Sequence, residues 1–158
     1  GSGHIRFNMA KSSLNSHISQ MPIATYKKAH AHGPGAHVII LSGKGYTLMW
    51  PEGEEPKRYD WEPGALITPP TMWYHQHFNT GDTPARYLAF KYEGVAIRNS
   101  QGVPKAWISR RIGGHQIDYA DERREVRTMF ADALASRGLE PKMDQPYELE
   151  KETLPPLP

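Results

Sequence analysis

The chain has no cysteine among its 158 residues. Disulfides, thiolate metal sites and thiol nucleophiles are therefore excluded. It has no apolar run near the ~20 residues that a membrane helix needs. Its formal net charge is only +2, which gives no global electrostatic case for nucleic acid. No G-x-S-x-G elbow, phosphate-cradling glycine loop or helical H-E-x-x-H occurs, and no carboxylate pair marks glycosidase chemistry. No signal-peptide pattern is visible, Gly1-Ser2-Gly3 reads as an expression scar, and the expected compartment is cytoplasmic.

What the chain does have is turn chemistry and histidine. Its 14 prolines and 14 glycines, with a hydrophobic fraction of 38%, suit one turn-rich globular β domain. Short runs of strand formers fall at 38–41, 46–50, 57–61, 65–68, 73–79 and 84–92, separated by Pro/Gly turns. That succession predicts a sandwich or barrel. Five of the eight histidines lie between 30 and 77. Residues two apart on a strand share a face, so His30 and His32 can enter one space, and so can His75 and His77. Imidazoles converging from two strands make a ready site for a first-row transition metal.

The spacing of these residues resembles the two motifs of the cupins. The first reads His30-x-His32-x4-His37 followed by Gly43 and Gly45. The second reads Gly64-x5-Pro70-x-Met72-x2-His75-x3-Asn79. Three positions depart from the pattern: Ala24 stands for the first glycine, His37 for the glutamate and Met72 for a later glycine. The resemblance covers roughly residues 20 to 93, about half the chain. It implies an all-β, double-stranded β-helix barrel holding one divalent metal on His30, His32, His75 and His37. Fe(II) is favoured, with Zn, Mn, Ni or Cu open. For His37 alone, ligand and core histidine remain even alternatives. His77 would line the same cavity as a second-shell group, a proton shuttle or a substrate contact, and is the candidate catalytic residue; a buried structural histidine is the alternative. Tyr46, Met49, Trp73 and Phe90 are expected to form an apolar, aromatic substrate wall.

Around this core, at 21–93, residues 1–20 read as an N-terminal arm with one short strand at His4–Asn8, and 94–120 as an extended segment with a strand near Trp107. A helix is expected over 121–138, capped by Asp121, with Val126, Met129, Phe130, Ala133 and Leu134 on one stripe and Gly138 past its end. Residues 139–158 read as an extended, proline-rich tail. The resemblance points most often to an iron-dependent dioxygenase, here acting on a small aromatic or enolisable carbonyl compound. A metal-dependent isomerase, lyase or dehydratase and a non-catalytic ligand-binding module are the alternatives. The expected partner is a small-molecule substrate, without nucleic acid or membrane, and a homodimer is expected.

Overall fold

A computed structural model describes residues 3–8, 13–92 and 96–157. Eight strands occur among the described residues: β1 (Gly3–Asn8), β2 (Leu14–Met21), β3 (His37–Ser42), β4 (Gly45–Trp50), β5 (Lys57–Trp61), β6 (Leu66–Ile67), β7 (Tyr74–Asn79) and β8 (Ala85–Tyr92). They form two antiparallel sheets, a five-stranded one in the order β1-β2-β8-β3-β6 and a three-stranded one in the order β5-β4-β7. This is an all-β jelly-roll barrel with helix α1 (Arg124–Ala135) C-terminal to it. No described helix is long and apolar enough to cross a membrane.

The barrel has two cores. The interior one is built from Met21, Val38, Ile40, Met49, Trp61, Ala85, Tyr87 and Ala89. The second lies outside the small sheet, where Tyr46, Leu48 and Trp50 of β4 and Tyr74 and Phe78 of β7 meet α1 through Val126, Phe130 and Leu134. Strands β4 and β7 are consequently buried at every residue, so neither shows the alternation of a half-exposed strand. The outward face of the large sheet carries an apolar row that crosses all five strands. It runs through the cross-strand neighbours Ile5, Ile18, Leu88, Ile39 and Leu66.

Four expectations about the flanks are corrected. The N-terminal arm holds, besides the short strand expected at His4–Asn8 and found as β1, a second strand, β2, and both join the large sheet. Residues 94–120 hold 3-10 turns at Lys105–Trp107, Arg110–Ile112 and Tyr119–Asp121 in place of a strand near Trp107. Asp121 does not cap α1; its carboxylate is bonded to Arg111 at 2.6 and 2.7 Å. The tail is not wholly extended, because Asp144–Thr153 forms a second helix, α2. Pro146 fits there because it lies in the first turn, where its missing N–H breaks no helical hydrogen bond. Gly138, with φ of 69°, does end α1 as expected. The expected end of the barrel core at residues 93–94 lies outside the described residues.

Candidate metal centre

Residues 25–32 run antiparallel to β7 without joining a named strand. Asn79 N donates to Thr25 O at 3.0 Å, Lys27 N to His77 O at 3.2 Å, and His30 and His75 exchange a backbone pair at 3.2 and 3.0 Å. The segment then turns at a cis Gly33-Pro34 bond. This pairing sets His30 and His32 beside His75. The side chain of the motif residue Asn79 ties the base of the site, donating to Met21 O, Pro22 O and Thr83 O.

The ligand atoms of His30, His32 and His75 lie within 4.8 Å of one another. Their ring centroids are 4.5 Å apart for His30–His75, 4.8 Å for His32–His75 and 5.6 Å for His30–His32. Each Nδ1 meets a backbone carbonyl two residues away: Lys28 at 3.2 Å, Pro34 at 3.1 Å and Trp73 at 3.1 Å, respectively. A carbonyl only accepts, so each Nδ1 carries the proton and each Nε2 keeps its lone pair. Burial, then the neighbouring His32, pushes His30 down to about 3. Burial likewise lowers His32 and, more strongly, His75. The three rings are therefore neutral, with oriented and basic nitrogens, which is the form a divalent metal requires.

His77 is buried on the same inward face of β7, with its ring 5.7 Å from that of His75. Its Nδ1 lies 2.8 Å from Thr47 Oγ1, which also accepts the indole N–H of Trp61 at 3.0 Å. Burial, followed by the nearby Lys27 charge, holds His77 well below the usual histidine range. A neutral ring lodged in this way can hold or move a proton.

His37 is not part of the cluster. It is exposed at the start of β3, opposite Phe90 on the outer face of the sheet. Val38 and Ile40 take the inward positions, and since residues 38–41 are apolar throughout, the parity was not readable from them. Nor do the four expected wall residues line the site. Tyr46 stacks on Phe78 at 4.5 Å beneath Arg58, in the outer core. Met49 belongs to the interior core and Trp73 packs against it. Phe90 points outward, because Ala85, Tyr87 and Ala89 are the buried residues of β8.

The wall is instead mixed, with polar and charged side chains set among apolar and aromatic ones such as Met21, Val38, Trp107 and Tyr119. A cavity of about 720 Å³ opens from the three histidines past Ser19, Lys27, Tyr87 and His17. Strand β2 supplies His17, Ser19 and Met21 on alternate positions. That period-2 spacing was visible, but the polar composition hid it. His17 is pushed down to about 4 by burial and by Lys91 and Lys27.

No family model matches the chain. It is 44% identical over 62 residues to a glucose-6-phosphate isomerase of Pyrococcus horikoshii, a match covering 38% of this chain and 32% of that protein. It is 42% identical over 52 residues to the glucose-6-phosphate isomerase of Thermococcus litoralis, covering 32% of this chain and 27% of that protein. These matches thus span about a third of the length of those relatives. Among solved structures, oxalate decarboxylase of Bacillus subtilis, studied for its Mn(II) centres, superposes with a TM-score of 0.55 at 15% identity. That superposition covers 61% of this chain and 27% of the other. At that identity the likeness shows a shared fold alone, the jelly-roll barrel.

Proposed function

We propose that the chain is a mononuclear, divalent-metal enzyme that relocates a proton on a small anionic hydroxy-carbonyl compound, an isomerase-type reaction. The observation that carries this reading is the convergence of three neutral imidazoles beside a fourth, His77, in a cavity whose wall includes Ser19, Lys27 and Tyr87. His30, His32 and His75 would hold the metal through Nε2, and the metal would supply Lewis-acid polarisation of a substrate oxygen. His77 shares a hydrogen bond between its Nδ1 and Thr47 Oγ1; in the tautomer protonated at Nδ1, its Nε2 would take a proton from the carbon beside the carbonyl and return it to the former carbonyl carbon, the hydroxyl proton passing from one substrate oxygen to the other. The relatives named glucose-6-phosphate isomerase support the same reaction class.

A second reading, the iron-dependent dioxygenase, rests on the ligand cluster containing only histidine. Neutral ligands leave the full metal charge for a chelating substrate and for O₂. The expected wall residues Tyr46, Met49, Trp73 and Phe90 do not line the observed cavity, and the lysines that do line it favour the isomerase reading.

The test is aerobic and anaerobic turnover of glucose 6-phosphate and smaller hydroxy-carbonyl phosphates by protein reconstituted with Fe(II), Mn(II), Co(II), Ni(II) or Zn(II). We expect turnover without O₂ uptake and one metal per chain. Both should be lost in the His30→Ala/His75→Ala double variant, whereas His37→Ala should retain its metal. His77→Gln should lose about a hundredfold or more in kcat with metal retained. Turnover only with O₂ uptake would favour the dioxygenase, and a failure to bind any metal would overturn both readings. The same proposal includes a homodimer, to which sedimentation velocity would assign the molecule; a monomer at micromolar concentration would remove that part.

A further inference from the structure

The cavity wall includes Arg6, Lys27, Lys28, Lys91 and Lys142 and, among the described residues, no aspartate or glutamate. The whole chain, by contrast, nearly balances 19 basic against 17 acidic residues. Lys28 is already committed to carboxylates, with its Nζ 2.9 Å from Asp118 and 2.7 Å from Glu150.

Lys27 is held differently. Its Nζ donates to Ser19 Oγ at 2.6 Å and to Tyr87 OH at 2.9 Å, and it lies 5.0 Å from the centre of the Tyr87 ring. Ser19 and Tyr87 are cross-strand neighbours on β2 and β8, so the platform beneath the ammonium is part of the sheet. An ammonium has three donors. Two hydroxyls without charge fix its position, leaving a donor and an uncompensated charge facing the cavity. The backbone N–H of Lys27 is bonded to His77 O, so its position relative to the centre is fixed.

We propose that Lys27, seated on Ser19 and Tyr87, is an oxyanion subsite that binds the phosphate or carboxylate group of the substrate, at the end remote from the metal. The substrate class is then a small molecule with a metal-chelating hydroxy-carbonyl head and an anionic tail. This deepens the functional reading above and rests on it for the head. The tail rests on Lys27 alone. The competing role is mechanical, with Lys27 clamping the 25–32 segment to β2 and β8.

Calorimetric titration of EDTA-treated and Co(II)-loaded protein with inorganic phosphate and with malonate separates the two roles. We expect at least one anion to bind the metal-free protein, and the tighter one to identify the tail. Lys27→Met keeps the stem and removes the charge. It should weaken that binding by at least about tenfold, as the loss of one charge-assisted hydrogen bond does. Lys27→Arg should restore most of it. Lys44→Met removes an exterior ammonium 3.4 Å from Glu62 and should change nothing. Should Lys27→Met fail to fold, the Ser19→Ala/Tyr87→Phe pair, which releases the ammonium from its platform, is expected to weaken the same binding severalfold.

The subsite is overturned if wild-type protein binds neither anion, or if binding survives Lys27→Met while the melting temperature falls, as a clamp alone requires. Binding that survives the Ser19→Ala/Tyr87→Phe pair overturns it equally. Lys27-dependent anion binding in a protein without anaerobic turnover would sink the isomerase reading and support the subsite.

Discussion

Ala24 and Met72 stand at two motif positions where the cupin pattern has glycine, and both adopt left-handed backbone, with φ of 57° and 62°. The barrel therefore imposes the turn geometry even where the residue resists it. A Cβ in this conformation costs about 1–2 kcal/mol, while Ala24→Gly also loses a buried methyl worth about 0.8 kcal/mol and gains unfolded-chain entropy worth about 0.5–1 kcal/mol. We expect Ala24→Gly to fall within about 0.5 kcal/mol of wild type in urea denaturation. Ala89→Gly, equally buried but on β8, should cost about 1–2 kcal/mol. At this scale His30, His32 and His75 were legible through the resemblance of their spacing to the two cupin motifs. His37 was not: a one-residue change of parity moves a side chain from one face of a strand to the other.

At the scale of elements, α2 shows what pattern reading misses. Its buried anchor is a charged residue, Glu150, whose carboxylate accepts the backbone N–H groups of Tyr119 and Ala120 at 2.7 Å each and pairs with Lys28. No apolar stripe announces such a helix, and the prolines around it suggest extended chain. The contact fixes α2 against the turn before α1, and Gln145, Pro146 and Leu149 of α2 form part of the cavity wall. We expect Glu150→Ala to destabilise the protein by about 3 kcal/mol, since it strands two buried donors. Hydrogen exchange should show faster exchange across 144–153, with the metal stoichiometry unchanged. Strand β2 escaped notice for the opposite reason: its inward residues are polar because they face a cavity.

Over the whole molecule, the histidines determine how stability follows pH. In metal-free protein His17, His30, His32, His75 and His77 are all held below their ordinary value of 6.5. As pH falls below 6.5 the unfolded chain takes up protons first, so stability drops until the folded values are passed, about 4 for His17 and about 3 for His30. Glu122, raised by burial, acts in the opposite direction but is a single group. We expect the melting temperature of EDTA-treated protein to fall steadily from pH 6.5 to 4.5 and these groups to contribute no slope above pH 7.5. Added Co(II) should raise it at pH 7.5 in a concentration-dependent way. The barrel itself was legible from turn spacing and the two histidine motifs, whereas its second core was not, since burial on both faces of β4 and β7 erases the pattern that would report it. Those two strands are a party wall with different tenants on either side. His75 and His77 belong to one, Tyr74 and Phe78 to the other. Point substitutions can re-line the chemical side while the helical side stands unaltered, so the reaction is free to diverge without rebuilding the house. A single inserted residue would exchange the tenants, placing aromatic rings where the imidazoles belong, and divergence by insertion within β7 is therefore closed to this architecture.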